Sequence, residues 1–510
     1  MGARAPEPQD RDRVVAEPVP QRSGRQVGRV GHDDPGRRPA GVAAGVGVGV
    51  RCGQRPDDLV GHPGTAGPDR LVHACIVALR PARRAPEVRL PPVLTWPAPQ
   101  IPRLPGQGGP VTVRDTSTGE RVVAAPGPTA TLYVCGITPY DATHLGHAAT
   151  YVAFDVLGRA WRDAGQEVRY ASNVTDVDDP LLERASATNV DWRELAAEQT
   201  ALYAEDMTAL GVVPPDAWTG VVESIPDVVD AVSALLASGA AYTVPSPDAV
   251  DDGPGDVYAD LSADGAFGAV ARLGLDDMLA LSAERGGDPE RPGKRSALDP
   301  LLWRRERAGE PAWDGGTLGT GRPGWHIECA VIARDALGLP FDVEGGGSDL
   351  RFPHHEMSTS HARLLDEGLG ARVHVHAGMV GLDGEKMSKS RGNLVLVSAL
   401  RAAGVDPMAI RLAILSHRYS DDWDWTEQGL SESAERLERW RRALSGNGGP
   451  DATATIAGVR AAVADDLDTP RALDVVDAWV ETALQGDAEP VEGAPGLVAR
   501  TVDALLGVRL

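Results

Sequence analysis

Lysine is almost absent from this chain. Of 50 strongly basic residues among 510, three are lysine: Lys294, Lys386 and Lys389. Positive charge is otherwise written as arginine, so each lysine needs a reason of its own. Two of them stand three residues apart in GEKMSKSRGN (Gly384–Asn393). Cysteine is scarce as well. Four residues, Cys52, Cys75, Cys135 and Cys329, exclude a disulfide scaffold and set the expectation of a reducing, cytoplasmic setting. No apolar run reaches the roughly 18 residues of a membrane span. The start lacks the basic head and apolar core of a secretory leader, so no membrane partner is expected. A net charge of −23 argues against a groove wrapping a long nucleic acid but leaves room for a local basic site.

What is present reads as a soluble protein of two to four domains. Residues 1–94 carry fifteen Arg against ten acidic residues, are rich in Pro and Gly, and show no sustained period. They are expected to be a disordered or spurious extension, which sets Cys52 and Cys75 aside as ligands. ATLYVCGITPY (Ala130–Tyr140) is an apolar run fit for a buried strand. Residues 141–165 carry apolar side chains at helical spacing, and 166–180 read as a second strand entering an acidic loop. Strand, helix, strand predicts an α/β domain with a parallel sheet. The expected halves of that domain are 95–215 and 306–404, around a less regular insertion at 216–305; a helical C-terminal domain follows at 405–510.

Three constellations carry chemistry. In THLGH (Thr143–His147), His144 and His147 at a helix start can donate to phosphate oxygens alongside the helix's own amides. Taken alone, the pair reads more readily as capping or packing. In GEKMSKSRGN, two ammonium groups on a flexible loop can close on a triphosphate and neutralise a departing pyrophosphate. Cys135, Cys329 and the histidines of FPHHE (Phe352–Glu356) make a soft donor set suited to zinc. Two buried unpaired cysteines fit the spacing equally well. NVTDVDDP (Asn173–Pro180) reads as an acidic turn that caps a helix or holds an arginine rather than as a metal site.

THLGH followed some 240 residues later by KMSKS resembles the two signature motifs of class I aminoacyl-tRNA synthetases. The resemblance implies a Rossmann-type catalytic domain that joins a carboxylate to AMP. YVCGITPYDATHLGHA, NVTDVDD, GRPGWHIECA, GGGSDLRFPHHE and GEKMSKSRGN are similar to cysteinyl-tRNA synthetase segments. Carried over, the zinc ligands are Cys135, Cys329 and His354, while the family's fourth ligand, a glutamate, is replaced by Ser358. Three ligands would leave a position for a substrate thiolate, unless Glu356 turns in to fill it.

Ile137, Pro139 and Thr143 depart from the usual synthetase form. The short C-terminal region, the acidic charge and ERGGDP (Glu284–Pro289) depart as well. These features resemble the cysteine:glucosaminyl-inositol ligase family of mycothiol biosynthesis; cysteinyl-tRNA synthetase is the alternative. The resemblance implies ATP with Mg²⁺, L-cysteine and glucosaminyl-inositol as partners, no tRNA, one Zn²⁺, and a monomer. It implies that His144 and His147 stabilise the α-phosphate and that Lys386 and Lys389 escort pyrophosphate. Cys135, Gly136, Ile137 and Thr138 would line the adenylate, with Thr150, Asn173, Val174 and Thr175 at its amino-acid end. Trp325 would wall the cysteine pocket. Gly347, Ser348 and Asp349 would meet the ribose, and the Val380 backbone the adenine.

Overall fold

The computed structural model describes residues 95–140, 143–366, 368–387 and 392–510, and of Lys386 the backbone alone. The expected extension 1–94 and Lys389 lie outside the described residues. A short hairpin, β1 (Thr112–Arg114) and β2 (Arg121–Val123), precedes the main sheet. β3 (Thr129–Ile137) follows, with Leu132, Tyr133 and Val134 all buried, as a central strand covered on both faces requires. α1 (Leu145–Asp163) crosses over to β4 (Glu167–Val174). α2 (Asp179–Thr188) and α3 (Trp192–Ala209) then lead to β5 (Ala217–Gly220) and α4 (Val221–Ser238).

The chain next builds a smaller antiparallel sheet. Its strands are β6 (Ala241–Val244), β7 (Asp256–Ala259), β8 (Leu301–Arg305) and β9 (Gly321–Pro323), with α5 (Leu275–Glu284) between β7 and β8. It returns through α6 (Trp325–Leu337), β10 (Phe341–Gly347), α7 (Glu356–Leu365) and β11 (Ala371–Ala377). The large sheet is wholly parallel in the order β11–β10–β3–β4–β5. β3 leads outward to β4 and β5, whereas β10 and β11 lie on its other side. The direction of winding therefore reverses between β3 and β10, which opens a crevice at their carboxyl ends.

Two expected boundaries differ. β5 pairs in parallel with β4, so residues 217–220 belong to the large sheet and not to the insertion. β9 extends the small sheet to Pro323, well beyond residue 305. Neither strand has a legible period, being four and three residues long, and Pro226 inside α4 disguises that helix.

After β11 come β12 (Val380–Leu382) and β13 (Glu385–Lys386), an antiparallel hairpin closed by Asp383 and Gly384. Both turn residues have positive φ, 56° and 77°, the backbone that a two-residue hairpin with matched twist demands. The hairpin leads directly into the KMSKS segment. The rest is mostly helical: α8 (Val397–Ala402), α9 (Pro407–Leu415), α10 (Glu427–Leu444), α11 (Thr453–Ala464), α12 (Thr469–Gln485) and α13 (Ala494–Leu506). Among the described residues no helix is long and apolar enough to cross a membrane.

A buried charge cluster fastens these helices to α1. Asp155 accepts from Arg159 Nε at 2.7 Å, from Arg411 Nη2 and from the Val213 amide at 2.9 Å. The remaining guanidinium donors reach carbonyls: Arg159 those of Asp503 and Gly211, Arg411 those of Leu506 and Leu210. Burial pushes the Asp155 carboxyl up, but Arg159 and Arg411 hold it below the usual range. Its stabilising contribution is therefore present above the unfolded carboxyl pKa and is lost as pH falls through the folded one. Asp155→Asn strands two buried guanidiniums and is expected to cost about 3–5 kcal/mol. Thermal melts at pH 7 should show the drop, and the gap from wild type should narrow in acid. An unchanged melting temperature at pH 7 would contradict this.

Candidate active site

The crevice between β3 and β10 holds a cavity of about 450 Å³. Cys135, Gly136 and Ile137, at the carboxyl end of β3, line it together with Thr138. Asn173 in β4 and Thr175 just after it, with Gly347 at the end of β10 and Asp349 just beyond, line it too. Thr150 faces it from α1, Trp325 and Cys329 from α6, and Val380 from β12. Two expected residues do not line it: Val174 is fully buried in the apolar core, and Ser348 lies in the turn beside Asp349. Lys386 sits in β13, and Met387 beside it lines the cavity.

His144 is the N-cap of α1, and its Nδ1 accepts from the Gly146 amide at 3.1 Å. In a neutral ring this leaves the proton on Nε2. The His147 ring stacks on it with centroids 3.8 Å apart, and both rings line the cavity. Capping and facing the cavity thus coexist in one residue.

Asn173 ties the strand ends together. Its Oδ1 accepts from the Gly136 amide at 2.7 Å and from Tyr133 Oη at 3.0 Å, and its Nδ2 donates to Thr175 Oγ1 at 3.0 Å. Gly136 is needed here because a Cβ would lie 1.6 Å from the Asn173 carbonyl oxygen.

Cys135, Cys329 and His354 bring their donor atoms within 4.8 Å of one another, all buried. Sγ to Sγ is 3.9 Å, and His354 Nε2 to Cys329 Sγ is 3.2 Å. Tetrahedral zinc with bonds of about 2.3 Å to sulfur would set two thiolates roughly 3.8 Å apart, so the donor set fits such a cation. Burial holds the imidazole of His354 neutral, with its pKa well below the ordinary value, so a lone pair is available. His326 Nδ1 meets the other ring nitrogen at 3.1 Å, and Trp325 stacks on the ring at 4.4 Å, which fixes its plane.

A second group, Cys135, Glu344 and His355, shares one thiol. Glu344 is engaged elsewhere: it accepts from Ser358 Oγ at 3.0 Å and Thr359 Oγ1 at 2.9 Å, and lies 3.3 Å from His374. Burial pushes Glu344 up, but His355 and His374 hold it at about 2. Of the two groups, only the first has every member lining the cavity. Ser358, at the position of the expected missing ligand, therefore anchors α7 to β10. Glu356 faces the insertion, accepting from the amides of Gly268 at 2.8 Å and Ala271 at 2.7 Å, and does not turn toward the thiols.

The acidic turn behaves as a structural element. Asp176 accepts from the Val222 amide at the start of α4, Asp178 caps α2, and Asp179 pairs with Arg322. Sequence reasoning missed Tyr151, which lines the cavity and donates to the Cys135 carbonyl at 2.9 Å. It lies one helical turn beyond His147, a spacing that would have pointed to it. Glu344 was missed too, although a carboxylate inside an apolar strand is a signal.

Compared with known proteins, residues 123–435 match the family of class I (C) tRNA synthetase catalytic domains. The Mycobacterium tuberculosis methionyl-tRNA synthetase in complex with methionyl-adenylate shares the fold. Its TM-score is 0.51 at 16% identity, over 74% of this chain and 89% of that one. The Agrobacterium radiobacter K84 agnB2 LeuRS from a ternary complex gives 0.52 at 12% identity, over 74% and 83%. The catalytic domain is thus of the class I synthetase type.

Closer relatives are more specific. The L-cysteine:1D-myo-inositol 2-amino-2-deoxy-alpha-D-glucopyranoside ligase of Sanguibacter keddieii is 71% identical over 425 residues, 82% of this chain and 100% of that protein. The same-named proteins of Kineococcus radiotolerans and Streptomyces coelicolor are 60% and 58% identical, each over 99% of its length. The chain belongs to this ligase family.

Gly136→Ala tests the close strand approach at the site. Overpacking of about 1–3 kcal/mol should lower the melting temperature by a few degrees. An unshifted melt would contradict the account.

Proposed function

We propose that this chain activates L-cysteine with ATP and transfers it to the amine of 1D-myo-inositol 2-amino-2-deoxy-α-D-glucopyranoside, in mycothiol biosynthesis. The observation that carries the reading is that two thiols and an imidazole open into the same cavity as the histidine pair at the start of α1. In the first step a cysteine carboxylate oxygen attacks the α-phosphorus of ATP, and pyrophosphate leaves. In the second, the neutral amine attacks the acyl carbon, the bond to AMP breaks, and the nitrogen gives up a proton.

Zn²⁺ held by Cys135, Cys329 and His354 would offer its remaining position to a thiolate, which serine cannot supply. The chain's other residues do the rest. His144 donates from Nε2, with His147 beside it, to oxygens of the α-phosphate. Lys386 and Lys389 neutralise the pyrophosphate, whose Mg²⁺ arrives with ATP. Trp325 closes the cysteine side and orients His354, while Thr150, Asn173 and Thr175 border the amino-acid end. Gly347 and Asp349 take the ribose, and the Val380 backbone meets the adenine. Thiols kept reduced for this purpose fit a cytoplasmic enzyme, which acts as a monomer without tRNA.

Two measurements test the reading. Given ATP and cysteine, the protein should form an amide with the aminosugar-inositol and no ester on tRNA; ester without amide would overturn the reading in favour of a cysteinyl-tRNA synthetase. Replacing both Lys386 and Lys389 with Ala should slow cysteine-dependent pyrophosphate exchange about 10²–10³-fold or more. Exchange within twofold of wild type would remove the loop from the mechanism.

A further inference from the structure

A second cavity, of about 780 Å³, adjoins the first, and Thr138, Tyr140, Trp325, Asp349 and Leu350 line both. Its other walls come from the start of α2, from the small sheet and from the turn after α5. That turn holds ERGGDP, a motif for which the adenylate chemistry finds no use. Glu284, Arg285, Gly286, Gly287 and Asp288 all line the second cavity and none lines the first. Arg285 donates to the carbonyls of Asp349 and Phe352, so the turn is fastened to the wall that the two cavities share.

Asp288 receives the Tyr258 hydroxyl and, at 2.8 Å, the ammonium of Lys294. Lys294 also donates to the Ala297 carbonyl at 2.8 Å, and its side chain is 4% exposed. The chain's one lysine outside the KMSKS segment thus braces this wall. Arg291 lines the cavity with its Nε buried and without a hydrogen-bond partner among the described residues, while its Nη2 pairs with Asp256. At the other side, Asp179 of α2 is joined to Arg322, three residues before Trp325.

We propose that this second cavity is the acceptor subsite, which binds a polyhydroxylated aminosugar and delivers its amine across the shared wall to the activated acyl carbon. The proposal rests on the ligase reading and extends it to the residues that recognise the acceptor. The volume falls within the roughly 300–1,000 Å³ of small-molecule sites. A polyol with one ammonium loses many hydrogen bonds to water on burial, so its site must offer both donors and acceptors throughout. Here carboxylates and guanidiniums both line the wall, among them Glu284, Asp288, Arg291 and Arg304. Carboxylates accept from the ammonium and hydroxyls, and guanidiniums donate to hydroxyl oxygens.

Glu284→Gln and Arg291→Met test this, since both residues line the second cavity alone. Three readouts are taken on the full chain: a thermal melt, cysteine-dependent pyrophosphate exchange, and the KM for glucosaminyl-inositol in amide formation. Each variant should raise that KM by about tenfold while exchange stays within twofold of wild type. A KM within twofold in both folded variants would overturn the subsite, as would exchange and ligation falling together in a chain that melts like wild type. Should one variant fail to melt cooperatively, the other decides. If the unaltered protein shows no cysteine-dependent exchange, the cysteine-activation reading fails instead, and the two failures are distinguishable.

Discussion

Two thiols and an imidazole must meet at one point, and they come from three parts of the chain. Cys135 ends β3, Cys329 stands on the second turn of α6, and His354 precedes α7. Parallel strands joined by helices place their carboxyl ends along one edge, and a reversal of winding leaves a gap there. Because β10 returns to the side of β3 away from β4, that gap lies where Cys135 stands. The same order brings the start of α1, with its two histidines, to the same edge.

The surroundings keep these donors in a state fit for a soft cation. The histidines nearest the thiols are neutral because burial holds their pKa values low: that of His354 lies well below the ordinary value and that of His355 is about 4. Burial pushes the Cys135 thiol up, and Cys329 and Glu344 push it further, so its thiolate form depends on a positive partner. Glu344, ionised and fully engaged, anchors α7 through Ser358 and Thr359. Far from the crevice, the Asp155 cluster fixes α1 against the C-terminal helices, so the helix carrying His144 and His147 has a rigid base.

Much of this was legible in the sequence because residue type and spacing carry it. An apolar run marks β3, and a helical period marks α1. Other features had no such carrier. β5 and β9 are too short to show alternation, and they take their places only by pairing with β4 and β8. The resemblance places Val174 at the site together with Asn173 and Thr175, yet successive strand residues face opposite ways and Val174 points into the core. The commitment of Ser358 to Glu344, and of Glu356 to two amides in the insertion, depends on contacts between distant segments. The second cavity is of the same kind, being assembled from α2, the small sheet and the turn after α5.

A cation held by Cys135, Cys329 and His354 would recognise the substrate's side chain through the one position those three donors leave. X-ray absorption at the zinc edge, with cysteine or serine added to the purified protein, tests it most directly. The account predicts two sulfurs and one nitrogen from the protein, with one further sulfur on adding cysteine and none on adding serine. A protein that forms cysteinyl-adenylate without bound zinc, or a shell that gains no sulfur from cysteine, would contradict it.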